Sequence, residues 1–353
     1  MGSDPLDLTI ELSPEARFDV LDLRSHFSAE HREALAPYPR WLCWSAHTTA
    51  GFLDRSLTAR LGPGQVSTYV EALRRVFPER AGYAHDRLEC RQDLDAAQRA
   101  VEPRNGDSHL AFIAGGLRPC VMHPNHSAEP VYFVELDGIS AARPRRRLTR
   151  VIGFHREVTV AETRIHVPVS SHPIDSINLK DPKLGIYPQL SEFVAQAGAG
   201  KGRLHIALDG DERHAALTVN EFETLLMKFD LAAVLRNPLR FVAAQYRGVR
   251  ANPRAVPRKA LGYAKYDLVR VLNSSLDTLG LQGSILEKVL ARTLAVPASR
   301  FFRMRRSINL LVAEREDGRQ GFVEGVYQSP ILVQWARPAR QTRVLDVTLT
   351  RLE

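Results

Sequence analysis

Three histidines, each beside groups able to accept or donate a proton, are the residues of this sequence best suited to chemistry. The first closes an aromatic-rich stretch, Trp41-Leu42-Cys43-Trp44-Ser45-Ala46-His47-Thr48-Thr49-Ala50-Gly51-Phe52. The second stands in Tyr83-Ala84-His85-Asp86 and the third in Asn105-Gly106-Asp107-Ser108-His109-Leu110. Three neutral imidazoles with an open fourth position suit zinc or a similar divalent ion that polarises a phosphoryl oxygen or a bound water. Magnesium is the other metal to consider. Protonated, the same rings would neutralise a phosphate directly. Asp86 could orient an imidazole or serve as a base, and Thr48 and Thr49 could donate hydrogen bonds to substrate oxygens. Histidines at strand ends also serve plain structural purposes, so this chemistry requires that His47, His85 and His109 meet.

The elements that must bring them together are legible in the hydrophobic pattern. Residues 6–12 and 18–23 alternate as strands. Residues 25–35 read as a short helix capped at Ser28 and stopped by Pro37 and Pro39, with His26 and His31 in solvent. The Trp41 strand follows. Val66, Tyr69, Val70, Leu73, Val76 and Phe77 make one face of a helix over 64–77. Another helix is expected from Leu88 to Val101, between the second and third histidines, where it could cap a site. Strands over 131–136 and 148–154 flank Arg145-Arg146-Arg147. Alternation sends Arg145 and Arg147 to one side and Arg146 to the other. Such a run is either a solvated edge or a phosphate clamp.

Taken in order, these pieces resemble the YjbQ-like family, also called the secondary thiamine-phosphate synthase family, over roughly residues 8–157. Its members carry a strand ending in His-Thr-(Thr/Ser)-Ala, a helix, a Tyr-x-His element and a short segment ending in Ser/Ala-His. A small-residue helix follows, here Ala111-Phe112-Ile113-Ala114-Gly115-Gly116, and then an apolar strand. Glu135-Leu136-Asp137-Gly138 and Arg143-Pro144-Arg145-Arg146-Arg147 match the family's Glu-x-Asp-Gly hairpin and arginine-rich last strand. The resemblance implies a β-sandwich with flanking helices, a homotrimer with sites near its interfaces, and a biosynthetic transferase. The reaction would join a pyrimidine-methyl diphosphate to a thiazole phosphate with loss of diphosphate. Two departures stand out. The Asn-Glu pair expected a few residues after His-Thr-Thr-Ala is replaced by Asp54-Arg55, and a Trp-Gln pair by Ala128-Glu129. His123 and His126 could supply replacement imidazoles. Arg55 would repel a divalent ion and attract an anionic substrate group, so the chemistry expected is related to, but diverged from, thiamine-phosphate synthesis.

The second half resembles no family, and no internal copy of the first half can be read in it. Ile165–Val169 and Arg203–Leu208 read as strands, Pro188–Ala197 as a helix, and the glycine-rich 198–202 as a connector. Thr218-Val219-Asn220-Glu221 reads as a capping box that opens a helix to about Leu235. Helices are expected over 258–279 and from Ser284, and residues 308–350 as an antiparallel meander. The fold class expected is α+β in two domains, 1–157 and 158–353.

Charge divides at the same place. Residues 1–157 hold 20 Arg and no Lys against 21 Asp and Glu, a balance of −1. The remainder holds 48 − 20 = 28 basic against 40 − 21 = 19 acidic residues, or +9. Arginines and lysines from Arg236 to Arg270, interleaved with Tyr246, Tyr263 and Tyr266, suit single-stranded nucleic acid, with Arg300, Arg303, Arg305 and Arg306 as a second cluster. That gives a rival to the enzyme reading, in which the partner is an anionic small molecule. No run has the eighteen or so apolar residues of a membrane span, and the N-terminus lacks a signal-peptide pattern. Cys43, Cys90 and Cys120 have no metal-ligand spacing. A cytoplasmic protein with structural thiols is the expectation.

Overall fold

The computed structural model describes residues 4–126, 129–140, 143–238, 240–241, 304–314, 318 and 320–353, and shows an α+β protein. The first half contains β1 (Leu6–Leu12), β2 (Asp19–Asp22), β3 (Arg40–Ser45), β4 (Ala50–Phe52), β5 (Cys120–Pro124), β6 (Tyr132–Glu135), β7 (Ile139–Ser140), β8 (Arg143–Pro144) and β9 (Arg147–Phe154). Its helices are α1 (Ala29–Leu35), α2 (Arg55–Leu61), α3 (Val66–Val76), α4 (Ala96–Val101) and α5 (Gly106–Ala114). The second half contains β10 (Glu157–Pro168), β11 (Asp175–Asn178), α6 (Ile186–Ala197), β12 (Gly202–Leu208), β13 (Ala215–Asn220), α7 (Leu231–Arg236), β14 (Ser307–Glu314), β15 (Gln320–Val323), β16 (Ser329–Gln334) and β17 (Thr342–Leu352).

Local sequence explains most of these elements. In β1 the alternation turns Ile10 and Leu12 into the core and leaves Glu11 outside. β3 is buried at five of six positions because β9 and β5 pair with it on either side. The Ser28 hydroxyl accepts from His31 N while the His31 ring accepts from Ser28 N, so the expected cap is a reciprocal one. α3 buries the Val66, Tyr69, Val70 and Leu73 stripe. Cys43 and Cys120 are buried and free, and burial pushes their thiols upward, that of Cys120 to about 12, while Cys90 is exposed.

Sheet topology reveals a relation that the residue letters conceal. In the first half one sheet runs β1-β9-β3-β5 and the other β2-β6-β4. In the second half one sheet runs β10-β17-β12-β14-β15 and the other β11-β16-β13. Each half thus places its first strand beside its last, the last beside the third and the third beside the fifth, with every pair antiparallel. The second and fourth strands flank the same late strand in both halves. The second half therefore repeats the connectivity of the first, which corrects the reading that it holds no internal copy. β15, paired to β14, is its addition.

Three further expectations change. Thr218-Val219-Asn220 does not cap a helix. It is the end of β13, buried throughout and hydrogen-bonded to β16, and long-range pairing outweighs the local capping signal. The helix instead starts as a π-helical turn over Leu225–Asp230 and continues into α7. Residues 308–350 do not form a meander, because β16 joins the smaller sheet and β17 crosses to lie between β10 and β12. The helix expected over 88–101 is reduced to a 3-10 turn, Leu88–Cys90, and α4, capped by Asp95. The helices expected over 258–279 and from Ser284 lie outside the described residues.

Apolar packing joins the halves. One cluster unites Leu57, Tyr69, Leu73 and Phe112 with Leu226, Leu231, Val234 and Ile331 across the seam. A second unites Leu42, Trp44 and Phe154 with Leu311 and Leu352. Each fully buried side chain of this kind contributes roughly 1.5–3 kcal/mol, so the seam is part of the core and holds polar groups there in fixed positions. Among the described residues no helix is long and apolar enough to cross a membrane.

Candidate functional site at the seam

α5 is buried at every position, which encloses His109 on all sides. The residue before it, Asn105, and the loop carrying His85 lie against the segment that leaves β13. His85 and His109 meet edge to face with ring centroids 5.2 Å apart. Both are engaged by one short run of the second half. Asn220 Oδ1 lies 2.8 Å from His109 Nδ1, Glu221 Oε2 lies 3.5 Å from His109 Nε2, and Glu223 Oε2 lies 3.2 Å from His85 Nδ1. Asp230, also of the second half, accepts from the backbone N–H groups of Ala84 and His85, each at 2.9 Å.

The partners decide the protonation of each ring. Asn220 Nδ2 donates to Thr48 O at 2.7 Å, which turns Oδ1 toward His109, so Nδ1 must carry the proton. Burial lowers the pKa of His109 to about 4, and its Nε2 is left as a lone pair facing Glu221. At His85 both neighbours are acceptors. Glu223 is fixed as an acceptor by the N–H groups of Leu225 and Leu226. Asn105 presents Oδ1 at 3.2 Å because its Nδ2 donates to Asp137. Burial opposes charge on His85, as does Arg91 at 3.4 Å, but Glu223 and Glu221 prevail and raise its pKa. His85, its pKa raised beside Glu223, and the neutral imidazole of His109 beside Glu221 lie side by side.

Arg91 closes the arrangement toward solvent. Its guanidinium reaches Asp93 at 2.5 Å, Glu102 at 2.9 Å and Glu221 at 3.2 Å. Above it opens a cavity of about 310 Å³. The stretch between the second and third histidines supplies one wall, including Leu94, Gln98 and Val101, so it does border the site. Glu221 and Phe222 line it at the seam, together with Val326 and Tyr327.

His47 stands apart from this pair. The carbonyl of the next residue, Thr48, is held by Asn220, and its own carbonyl accepts from Gln328 at 3.1 Å. Its Nδ1 lies 3.5 Å from Arg147, and its buried Nε2 has no hydrogen-bond partner among the described residues. Burial, then Arg147 and Arg145, lowers its pKa to about 3. The expected metal ligands His47, His85 and His109 are therefore not assembled as a set, and no group of three or more His, Cys, Asp or Glu that could hold a metal ion occurs among the described residues. The physical reason is that both nitrogens of His85 and Nδ1 of His109 are already committed to carboxylate and carboxamide oxygens.

Other expected site residues have structural tasks. Asp86 accepts from Gly106 N at 3.0 Å and fixes the start of α5, so it does not orient an imidazole. Thr49 is buried, with its hydroxyl 3.4 Å from Arg147. Arg147 forms a fork on buried Glu135, and Arg145 pairs with Asp137 at 2.9 Å. Arg146 turns the other way to Glu11, as alternation requires. Arg55 is half-exposed and pairs with Glu129 at 2.6 Å. His123 is buried in β5 opposite Trp41, and His126 is exposed. The basic run over 242–303 lies outside the described residues. Arg305 donates to Gly116 O at the seam, and Arg306 holds the carbonyls of Leu208, Asp209 and Glu212.

The ladders show where the missing Asn-Glu pair went. Ala50 faces Glu135, and Ala215 faces Gln334, in matching positions of the two smaller sheets, where Asp19 and Asp175 pair from the other side. Three residues before Ala50 is His47, and three before Ala215 is Glu212. Five and six residues after them stand Arg55-Ser56 and Asn220-Glu221. The second half therefore carries the Asn-Glu pair at the place where the first half has Arg55-Ser56, one residue on from the replacement that the sequence suggested. Sequence reading missed Asn220, Glu221 and Glu223. The signal was the Asn-Glu pair itself, at the end of an apolar, β-branched run.

No protein-family model matches the chain, and no curated protein does. Among solved structures, the chain is similar to a YbjQ-like protein of unknown function from Sulfolobus solfataricus, at 16% identity and a TM-score of 0.30, over 56% of this chain and 99% of that one. It is also similar to a hypothetical protein from Aeropyrum pernix, at 17% identity and a TM-score of 0.29, over 43% of this chain and 99% of that one. A third is an uncharacterized YjbQ/UPF0047 family protein from Clostridium acetobutylicum, at 13% identity and a TM-score of 0.27, over 54% of this chain and 99% of that one. Similarity at this level carries no argument about chemistry, which rests on the chain's own residues.

Proposed function

We propose that the chain is an enzyme that moves a proton to and from a small polar molecule bound at the seam. The observation that carries this reading is the pair formed by Glu221 and His109. A neutral imidazole offers a lone pair to a carboxylate oxygen at 3.5 Å, beneath an open cavity. Arg91 donates to the other carboxylate oxygen, and among the described residues no donor stands between Glu221 Oε2 and His109 Nε2. Glu221, which lines the cavity, takes a proton from the bound molecule and passes it to His109 Nε2. Asn220 keeps Nδ1 protonated throughout and so fixes the receiving nitrogen. Return of the proton by the same route restores both groups. His85 with Glu223 and Asp230 are positioning residues that fix the loop and the start of α5.

The resemblance read from the sequence implies sites near subunit interfaces. In this reading the second half of the chain takes the neighbour's part. The phosphorylated or anionic substrate expected from Arg55, Arg145 and Arg147 loses its support, because each of these cations is paired with a carboxylate.

The test incubates the full chain with a small-molecule extract and follows consumption by mass spectrometry. Glu221→Gln and His109→Gln are run in parallel. Wild-type protein is expected to convert at least one compound, with a loss of about 100-fold or more in both variants and little change in melting temperature for Glu221→Gln. Absence of any conversion that depends on Glu221 would defeat the proposal.

A further inference from the structure

The cavity above Glu221 is built for a particular kind of molecule, and this inference rests on reading the seam as a small-molecule site. Three carboxylates, Asp93, Glu102 and Glu221, line it against the single guanidinium of Arg91. Arg91 contacts all three and has no valence left for an incoming anion. The lining thus holds a net charge of −2, counted as one cation against three anions.

Beneath it, His109 is 1% exposed and aims an Nε2 lone pair at Glu221; Arg91 donates to Glu221 Oε1, while among the described residues Oε2 and this nitrogen face each other at 3.5 Å with no donor between them. Burial, with Glu221 nearby, raises the pKa of the Glu102 carboxyl although Arg91 pairs with it.

Part of the lining is apolar. Five large hydrophobic side chains are exposed among the described residues, and three of them, Val101, Val326 and Tyr327, line this one cavity. Their exposures are 81%, 91% and 66%. Scattered exposed hydrophobics need no explanation, whereas three around one opening do. Tyr327 also offers an aromatic face, which attracts a cation.

We infer that the cavity takes a primary organic amine with an apolar or aromatic body, its ammonium directed at Glu221 and the body held between Val101, Val326 and Tyr327. An ammonium N–H supplies a donor to Glu221 Oε2, the oxygen that Arg91 leaves facing His109. A carboxylate or phosphate ester would meet three like charges instead.

Four probes with the same phenyl body separate the terms: benzylamine, benzyltrimethylammonium, benzyl alcohol and benzoate, titrated into the full chain by calorimetry. Benzylamine should bind about 10-fold or more tighter than benzyl alcohol, the worth of one charge-assisted hydrogen bond, and benzoate should not bind. Benzyltrimethylammonium, which has the charge but no N–H, should fall between them. Glu221→Gln should remove the preference of benzylamine over benzyl alcohol. Tyr327→Ala, at an exposed position that leaves the fold alone, should weaken both by a similar factor. Benzoate binding as well as benzylamine, or no binding by any probe at about 10 mM, the weak end of specific recognition, overturns the inference. The proton-transfer reading fails separately, on conversion that does not depend on Glu221.

Discussion

The two halves share a strand order and differ in what each places at matching positions. Where the first half has His47, the second has Glu212; where the first has Arg55-Ser56, the second has Asn220-Glu221. The buried residue facing Ala50 is Glu135, and the one facing Ala215 is Gln334. Arg147 and Arg343 each stand two residues before the last cross-pair of their strands, Ser45 with Thr149 and Leu208 with Leu345. Each reaches the residue at the His47 place: Arg147 lies 3.5 Å from His47, and Arg343 lies 2.8 Å from Glu212. One connectivity therefore serves two endowments. The first half contributes the imidazoles and Asn105, the second contributes Asn220, Glu221 and Glu223, and neither holds the full set.

The largest expected effect breaks this comparison at the arginines. Arg147 is forked onto Glu135, which is 0% exposed. Arg147→Ala leaves a buried carboxylate unpaired and should cost about 3–5 kcal/mol. In the second half the equivalent buried residue, Gln334, is neutral, and Glu212 keeps 15% of its side-chain surface. Arg343→Ala should therefore cost less, about 1–3 kcal/mol. Urea unfolding of the two variants measures the difference. Equal costs would mean that the buried acid of the first half does not set it apart.

Asn220→Ala comes next, at about 1–3 kcal/mol, because it leaves His109 Nδ1–H and the Thr48 carbonyl without partners. It should also release the tautomer of His109, visible as a change in the ring ¹⁵N shifts. A single Nδ1–H tautomer surviving in the variant would show that Asn220 does not fix the ring.

Much of this architecture is legible in the residue pattern, and the failures share one cause. β1, α1, α3, α6 and β12 follow from alternation, caps and stripes, which are local. The end of β13 was misread because Thr218 and Glu221 have capping-box spacing. What overrides it is pairing with β16, more than a hundred residues away. The repeat of the first half is likewise carried by which strands pair, and so is the seam. His47, His85 and His109 could be singled out as chemical groups, but their partners belong to a segment that no local rule connects to them.

A smaller effect concerns pH. Burial lowers the pKa of His109 to about 4, of His123 to about 4 and of His47 to about 3. In the unfolded chain each takes up a proton near pH 6.5. The unfolded state thus binds more protons below that pH, and stability should fall as pH drops from about 6.5 to 4. His85 has the opposite sign. Its pKa is raised, so its contribution is full at low pH and is lost as pH rises through its folded value. Burial lowers the pKa of His205 as well, so His109→Gln should flatten the acid limb of a melting-temperature profile by about a quarter, one of four such groups. An unchanged slope would mean that His109 is not neutral in the fold.

The smallest effect is expected at Arg55, the residue that most separates this chain from the family it resembles. Read from sequence, a cation there should repel a metal and draw in an anionic substrate. In the structure Arg55 opens α2 on the outside of the first half, about half of its side chain is exposed, and its partner is Glu129. An Asn-Glu pair, Asn220 and Glu221, stands instead in the other half, against His109. Arg55→Glu should therefore exchange one exposed ion pair for a weak repulsion, with no change in melting temperature beyond experimental scatter. Benzylamine binding should also be unaltered. A weakened amine affinity in Arg55→Glu would place this side chain at the site after all, and would mean that the first half contributes more than imidazoles to it.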